Sequence, residues 1–317
     1  MARIRQVLAV LIVASIPSLN AQMTGWGKDE IIKYTPRWQG ERFEDGRPRV
    51  PDAVLERLEN ATSEEAAWGP LRREGYPHQW EGGWQILNSD KRLVGRVFTA
   101  RYMPGRAEIS SIVEAEAQER GDSQSNVRVM DLLQPGDVVI VDHYANIVHG
   151  VFTGDNLAAA IYSRTGKGYV NNGGIRDVEG TEPLGFPIYF RAPFPGTFPG
   201  RMLVGINVPI QIGDVTVMPG DVVVGDKEGL TFIPAHLAEK VAEHHEVTTL
   251  VDEWRKDKFL AAGGSIKPSE LYGRIAFQNQ AHSRECYEYV SRKYREKGLT
   301  PPVPSEETPM CGLRSRQ

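Results

Sequence analysis

Residues 154–177 bring together side chains that suit the binding of a metal ion and a small carboxylate. Asp177 offers hard carboxylate oxygens of the kind that Mg²⁺ and Mn²⁺ prefer. Arg176, its neighbour, can hold a carboxylate through two parallel hydrogen bonds. Gly173 and Gly174 precede this pair, and glycine lets the backbone approach a ligand closely or adopt a positive φ.

The same segment begins with a predicted helix start. We interpret Asp155 as the N-cap, which leaves the N–H groups of Asn156 and Leu157 free to face an anion, with the positive end of the helix dipole behind them. A short apolar run at Tyr169 predicts a strand after this helix. Because a strand–helix–strand unit brings the helix start close to the end of the second strand, Asp155 and Asp177 are predicted to face one site.

A plainer interpretation remains open at this point. Adjacent Arg and Asp residues are usually a solvated surface pair, and an Asp before a helix is usually only a cap. The spacing favours the functional interpretation. Twenty residues separate Asp155 from the pair Arg176-Asp177. This spacing resembles the Asp-X20-Arg-Asp signature of the RraA-like family. That family includes class II 4-hydroxy-4-methyl-2-oxoglutarate aldolases and the regulator of ribonuclease activity A.

The flanking sequences are also similar to those of the family. The matching segments are Leu133–Val139, Leu184–Ile188, Asn207–Ile210, Val217–Val223 and Gly225–Gly229. The resemblance runs roughly from Pro51 to Glu243. It implies an α/β layered sandwich related to the swivelling phosphohistidine domain, as a single core domain with helical extensions, and assembly into a homotrimer or hexamer.

The resemblance also implies roles for individual residues. Asp177 would hold Mg²⁺ or Mn²⁺, Arg176 would clamp the carboxylate of the substrate, and Asp155 would hydrogen-bond metal-bound water and help to move a proton. The substrate-binding residues would be Gly154, Asn156, Leu157 and Arg176. Together they imply a divalent-metal-dependent lyase that releases pyruvate from a 4-hydroxy-2-oxo acid or from oxaloacetate.

The sequence departs from the family pattern in two places. Glu228 stands where family members often carry Asp, and Glu64 and Glu65 match the family's Ser-Asp helix start only loosely. Either departure would reshape the pocket. Two rival functions therefore stay open, a protein-interaction role without catalysis and non-catalytic binding of small carboxylates.

Composition limits the classes of partner. The 317 residues are 40% hydrophobic and 25% charged, which is ordinary for a globular protein. A net charge of −4 without a basic run argues against nucleic-acid binding. The partners that the family resemblance implies are a small 2-oxo acid and further copies of the chain.

The N-terminus has the features of a signal peptide. Arg3 and Arg5 precede an apolar run from Val7 to Ile16, and Ala21 provides a small residue for cleavage. An uncleaved anchor is the alternative, but the run is short for a span, which needs about 20 residues. We expect export to the periplasm or secretion, with no other membrane segment.

The chain is accordingly divided into four parts. These are a signal peptide at 1–21, an extended arm at 22–50, the RraA-like domain at 51–245, and a C-terminal helical extension with a Pro-rich tail at 246–317. Cys286 and Cys311 both lie in the last part, and export would permit a disulfide that pins the tail. Free or intermolecular thiols are the alternative.

Apolar patterns predict strands at Val94–Tyr102 and Val138–Val141, a helix from Ala235 to Phe259, and one charged helix from Pro268 to Lys297. The aromatic segment Tyr76–Trp84 is either a wall of the substrate pocket or a group of buried aromatics in a local insertion.

Four histidines need a separate interpretation. We expect His143 and His149 to be structural or exposed, with a general acid role if either takes part in the reaction. The adjacent pair His244 and His245 is predicted to be exposed on its helix.

Overall fold

A computed structural model describes residues 25–119, 121, 125–196, 200–272, 276–304 and 310–313. The predicted signal peptide, residues 1–21, lies outside these ranges, so its cleavage stays a prediction. None of the helices in the described ranges combines the length and apolar character needed to cross a bilayer.

The described chain alternates strands and helices. The strands are β1 Trp80–Glu81, β2 Gln85–Leu87, β3 Leu93–Pro104, β4 Asp137–Asn146, β5 Tyr169–Ile175, β6 Ile188–Pro193, β7 Arg201–Ile206, β8 Ile210–Ile212, β9 Val215–Val217, β10 Val222–Gly225 and β11 Leu230–Ile233. The helices are α1 Lys28–Tyr34, α2 Asp52–Leu58, α3 Ser63–Ala66, α4 Ala107–Glu119, α5 Ser125–Asp131, α6 Asp155–Thr165, α7 Val178–Thr181, α8 Ala238–Ala261, α9 Pro268–Leu271 and α10 Gln280–Glu296.

One nine-stranded sheet organises these elements, in the order β1-β11-β10-β3-β4-β5-β6-β2. Strands β3 to β6 are parallel, and the outer strands pair antiparallel. β7 pairs with the second half of β3, and β8 and β9 form a separate hairpin. The strands predicted at Val94–Tyr102 and Val138–Val141 are confirmed as β3 and β4.

The two faces of the sheet are buried in different cores. Val139 and Val141 belong to a core with residues of α5 and α6. Val138 and Ile140, on the opposite face, belong to a core with the β8–β9 hairpin. Since successive side chains of a strand point to opposite faces, the run Val-Val-Ile-Val must be apolar throughout. The result is a mixed α/β architecture in layers.

The C-terminal part has an apolar cluster of its own, which includes Trp254 of α8, Val290 of α10 and both cysteines. Cys286 and Cys311 form a disulfide, so the expected bridge is confirmed. The prediction of one helix from Pro268 to Lys297 was wrong. Asn279 caps α10 by accepting a hydrogen bond from the backbone N–H of Ala281 at 2.9 Å, which starts a new helix after α9.

The described part of the arm, residues 25–50, contains α1 and buries the side chain of Arg47 completely. The prediction of an exposed His245 was also wrong. Its side chain is buried, and Nδ1 lies 2.8 Å from Oε2 of Glu65. A buried polar side chain needs a partner, and Glu65 on a distant part of the chain provides it.

Candidate active site

The candidate site lies at the carboxyl ends of the parallel strands β4 and β5. Helix α6 connects these strands, and a helix that returns between two parallel strands begins near the edge where the first strand ends. Arg176 and Asp177 follow β5 at the same edge. In open α/β sheets, ligands commonly bind outside the carboxyl ends of the strands.

The carboxylate of Asp177 lies directly against Gly154. A Cβ atom built on Gly154 would be only 2.1 Å from Oδ2 of Asp177, so no larger residue fits there without displacing the carboxylate. Asp177 itself has a φ of 55°, a left-handed conformation that Asp tolerates better than most residues. This backbone conformation turns the side chain back toward the start of α6, and 48% of the side chain stays exposed.

Arg176 lies beside the same carboxylate. Its Nε is 3.4 Å from Oδ2 of Asp177, and the side chain is 33% exposed. This Nε is buried and makes no hydrogen bond to any residue that the structure describes. An unsatisfied buried N–H group is costly, and an incoming carboxylate would satisfy it.

The structure corrects the assignment of the N-cap. Gly154 is the N-cap of α6, and Asp155 is the first helical residue. Oδ1 of Asp155 accepts hydrogen bonds from the backbone N–H of Asn156 at 2.7 Å and from its side-chain amide at 3.2 Å. The N–H of Asn156 is therefore already used, and it reaches a ligand only if Asp155 releases it. Leu157 is half-buried against the core on the helix side of the sheet.

Asp155 faces the start of the next helix. A Cβ atom on Gly180 of α7 would lie 2.7 Å from Oδ2 of Asp155, so this carboxylate lies over α7 while Asp177 lies over the start of α6. Each acid therefore contacts a glycine of the opposite helix. The two acids therefore lie at the junction of α6 and α7, with Arg176 beside Asp177.

These residues fit a sparsely held divalent cation. Within the described ranges, no group of three or more His, Cys, Asp or Glu residues is arranged to enclose a metal ion. Mg²⁺, however, usually keeps several waters and uses only one or two carboxylates. The half-exposed oxygens of Asp177, with Asp155 nearby, are a donor set of that kind.

His143 is not placed to act as a general acid, and His149 is an exposed residue. His143 is fully buried, and burial lowers its pKa to about 4, so its imidazole is neutral near pH 7. His149 is exposed, and its backbone oxygen accepts a hydrogen bond from Nε of Arg201 at 3.1 Å. The expectation that these histidines are structural or exposed is confirmed.

Asn171 was missed by sequence reasoning. It is a buried polar residue in a strand whose seven residues are all buried, and its side chain contacts segments on both sides of the candidate site. The signal was present in the sequence as an amide inside an apolar strand. Such a residue needs internal hydrogen bonds wherever it is buried.

The aromatic segment Tyr76–Trp84 packs mainly on the far strands of the sheet. Trp80 lies in β1 beside β11, and it is 43% exposed. Trp84 carries the guanidinium of Arg191 over its ring at 3.8 Å. Of the two interpretations of this segment, these contacts support a local packing unit at β1, β6 and β11 rather than a wall of the substrate pocket.

Two clefts lie elsewhere in the molecule. One, of about 750 Å³, separates the β10–β11 turn from α8 and is lined by Glu64, Glu65 and Glu228, the positions that depart from the family pattern. The other, of about 460 Å³, lies between the arm and the core. Neither cleft is lined by Asp155, Arg176 or Asp177, so both clefts lie away from the residues that suit a metal ion and a carboxylate. We place the candidate site at those residues, because a metal ion with a small carboxylate needs convergent ligands more than a large cavity.

Comparison with known proteins finds a matching family profile and several relatives. The profile of the RraA-like family, described as aldolase/RraA, matches residues 58–232, more than half of the chain. A protein of Halalkalibacterium halodurans named "Putative 4-hydroxy-4-methyl-2-oxoglutarate aldolase" is 32% identical over 136 residues, which cover 43% of this chain and 64% of that protein. The match thus spans less than two thirds of that relative. A 4-hydroxy-4-methyl-2-oxoglutarate aldolase of Thermus thermophilus is 26% identical over 145 residues, covering 45% of this chain and 76% of the other.

A solved structure has the same fold. Streptomyces coelicolor RraAS2, described as an unusual member of the RNase ES inhibitor RraA protein family, superposes with a TM-score of 0.55. The two sequences are 24% identical, and the match covers 67% of this chain and 100% of RraAS2. At this identity the likeness shows the fold alone. The predicted α/β layered fold with a single core domain is therefore confirmed.

Proposed function

Because the chain belongs to the RraA-like family, we propose that it is a divalent-metal-dependent lyase acting on a small 2-oxo acid. The observation that carries this proposal is the position of the Asp177 carboxylate, which lies against Gly154 at the start of α6 and beside the buried Nε of Arg176. A carboxylate and a guanidinium thus converge on one partly exposed junction. This pairing suits a substrate that carries a carboxylate next to a ketone.

Arg176 binds and orients the substrate. Its guanidinium is planar and permanently charged, and it matches the geometry of a carboxylate. The N–H group at Nε donates to one carboxylate oxygen, which ends the unsatisfied state of that buried atom. Fixing the carboxylate sets the position of the adjacent ketone and of the bond to be broken.

Asp177, with Asp155 beside it, would hold Mg²⁺ or Mn²⁺. When bound, the cation supplies Lewis-acid polarisation and stabilises the negative charge that develops on the ketone oxygen. The left-handed backbone at Asp177 and the absence of a side chain at Gly154 fix the carboxylate that faces the ligand.

Asp155 moves the proton. In a retro-aldol cleavage, the hydroxyl group at C4 loses its proton while the bond between C3 and C4 breaks, and C3 later gains a proton. Asp155 is half-buried at the junction and accepts hydrogen bonds through Oδ1, while Oδ2 lies over α7. A carboxylate in that position accepts the hydroxyl proton directly or through one water.

The names of the relatives support a substrate class. A 4-hydroxy-4-methyl-2-oxoglutarate aldolase cleaves a 4-hydroxy-2-oxo acid, and the products of that substrate are two molecules of pyruvate. We propose the same substrate class here, with oxaloacetate decarboxylation as a related reaction of the same site.

We also propose an exported homotrimer or hexamer. The disulfide between Cys286 and Cys311 supports export, because disulfides persist in oxidising compartments.

The test is pyruvate release from 4-hydroxy-4-methyl-2-oxoglutarate and from oxaloacetate, with Mg²⁺ and with EDTA. Asp177→Asn removes the proposed ligand, and Glu179→Gln makes the same chemical change at an exposed acid two residues away. We expect Mg²⁺-dependent release by the wild type and by Glu179→Gln, and none above the metal blank by Asp177→Asn. Equal activity in both variants would overturn the assignment of Asp177. No release by a folded wild type on either substrate would favour carboxylate binding without catalysis.

A further inference from the structure

A buried amide ties together the two segments that carry the candidate site. Nδ2 of Asn171 donates hydrogen bonds to the carbonyl oxygen of Gly150 at 2.7 Å and to that of Gly174 at 2.6 Å. Gly150 lies four residues before Gly154, and Gly174 lies two residues before Arg176. One side chain therefore spans the loop that leads into α6 and the end of β5.

The orientation of this amide is fixed by a second buried residue. Oδ1 of Asn171 lies 2.8 Å from Nδ1 of His143, and the two side chains are 1% and 0% exposed. Because both amide hydrogens of Asn171 go to carbonyl oxygens, Oδ1 must accept, so Nδ1 of His143 carries the proton. The ring of His143 is in turn held by stacking on Tyr102, with ring centroids 4.6 Å apart.

The hydrogen bonds from Asn171 to Gly150 and Gly174 lie where the regular sheet is interrupted. The pairing of β5 with β4 and with β6 shifts register at this point, between Asn171 and Gly174 on the β6 side. The backbones also touch here, since a Cβ atom on Gly173 would lie 2.3 Å from the oxygen of Gly150. The backbone N–H of Gly174 also donates to the carbonyl oxygen of Gly150, at 3.1 Å, so the side chain of Asn171 reinforces a direct backbone contact between the two segments.

We infer that Asn171 and His143 are positioning residues for the candidate site, setting where Gly154 lies relative to Arg176 and Asp177. The inference rests on the proposed function for what the site does, but the tie itself is independent of it. A buried polar pair that only stabilises the core is the competing explanation. The two explanations predict different effects when the hydrogen bonds of Asn171 are broken. A positioning role predicts altered geometry at the candidate site, and a purely structural role predicts only lower global stability.

The experiment replaces Asn171 with Leu, which keeps the number and branching of the side-chain heavy atoms and removes the side chain's hydrogen bonds. The matched control is Thr231→Val, because Thr231 is equally buried in β11 and its Oγ1 donates to the oxygen of Ser63 at 3.0 Å, away from the site. The third variant, His143→Gln, keeps a donor that can reach Oδ1 of Asn171. Hydrogen exchange of the peptide covering residues 147–156 and Mg²⁺ affinity by calorimetry are measured for each.

We expect Asn171→Leu to accelerate exchange in residues 147–156 and to weaken Mg²⁺ binding by about tenfold or more, as residues that orient metal ligands usually do. Thr231→Val should leave both unchanged although it unfolds more easily, and His143→Gln should lie close to the wild type. Wild-type exchange rates in residues 147–156 for Asn171→Leu would overturn the inference. If Asn171→Leu does not fold, His143→Phe decides by the same exchange readout. A wild type that binds no Mg²⁺ contradicts the proposed function alone, because the exchange result stands without a metal.

Discussion

At the scale of single residues, the contact between Gly154 and Asp177 matters most. The backbone at Gly154 has a φ of −105°, which any residue adopts, so glycine is not needed there for its conformation. It is needed for space, because a Cβ atom would lie 2.1 Å from a carboxylate oxygen. A substitution at Gly154 therefore tests the contact with Asp177 without adding backbone strain.

Gly154→Ala should displace the Asp177 carboxylate and leave the fold intact. The displaced group is the end of a half-exposed side chain, so it can rotate away at small cost in stability. We expect Mg²⁺ affinity to fall by about tenfold or more, while the free energy of unfolding changes by less than roughly 1 kcal/mol. Calorimetry and urea denaturation measure the two quantities. Unchanged Mg²⁺ affinity would show that Asp177 is not the ligand in its observed position.

At the scale of elements, the arm is held to the sheet by a buried ion pair. Arg47 donates two hydrogen bonds to the carboxylate of Asp137 in β4, at 2.9 Å and 3.0 Å, and both side chains are fully buried. Burial alone would lower the pKa of Arg47, but Asp137 and Asp45 together raise it. Burial also raises the pKa of Asp137, which Arg47 opposes. The paired geometry needs a carboxylate acceptor, so we treat the pair as ionised.

Arg47→Met should destabilise the protein strongly. The substitution keeps most of the apolar stem and leaves Asp137 buried without its partner, which typically costs about 3 kcal/mol or more. The matched control is Arg49→Met, because Arg49 is an exposed arm residue 3.7 Å from Glu41. That pair should contribute less than roughly 1 kcal/mol. Chemical denaturation of both variants measures the difference, and equal losses would contradict a structural role for the buried pair.

The sequence was most informative where one physical rule decides the outcome. The run Val138–Val141 has to be a strand buried on both faces, and a strand–helix–strand unit has to place the start of α6 near Arg176. Sequence reasoning failed where distant groups decide. Glu65, far along the chain, supplies the hydrogen-bond partner of the buried His245, and the carboxylate of Asp177 leaves room only for a glycine at the N-cap of α6. Local patterns carry no information about such partners.

The break between α9 and α10 has a different cause. The sequence after Pro268 is rich in charged residues that favour a helix, and this pattern predicts a continuous one. The side chain of Asn279 offers the backbone an alternative partner, and Phe277 adopts a φ of 62° just before it. Asn competes well at helix starts for this reason, and a single residue of that type outweighs the pattern around it.

At the scale of the whole molecule, two similar turns differ in how their acids are held. Asp137 and Asp221 both follow Pro-Gly, and each accepts a hydrogen bond at 2.9 Å from the backbone N–H three residues earlier. Asp137 is paired with Arg47. Asp221 is held by the backbone N–H groups of Met218 and Ala235, and burial raises its pKa to about 7.

Asp221 should therefore make global stability depend on pH. Its folded-state pKa is above the ordinary value of 3.8, so the folded protein holds a proton that the unfolded chain has lost between those values. The stabilisation is complete below pH 4, falls by at most about 1.4 kcal/mol per pH unit, and is lost as the pH rises through 7. Asp221→Asn does not titrate. The difference in unfolding free energy between wild type and variant should thus decline from pH 4 to 7 and stay level above pH 8, and a difference independent of pH would contradict the assignment.

The central claim is that one junction binds a divalent metal and a 2-oxo acid together, and oxalate binding tests it without knowledge of the natural substrate. Oxalate is a stable planar anion that resembles the enolate of pyruvate. Calorimetric titration of the wild-type protein with oxalate should show binding in Mg²⁺ and none in EDTA. Asp177→Asn and Arg176→Gln should each abolish it, while Glu179→Gln should bind as the wild type does. Oxalate binding that is equally strong in EDTA, or that survives Asp177→Asn, would contradict a metal-dependent site at this junction.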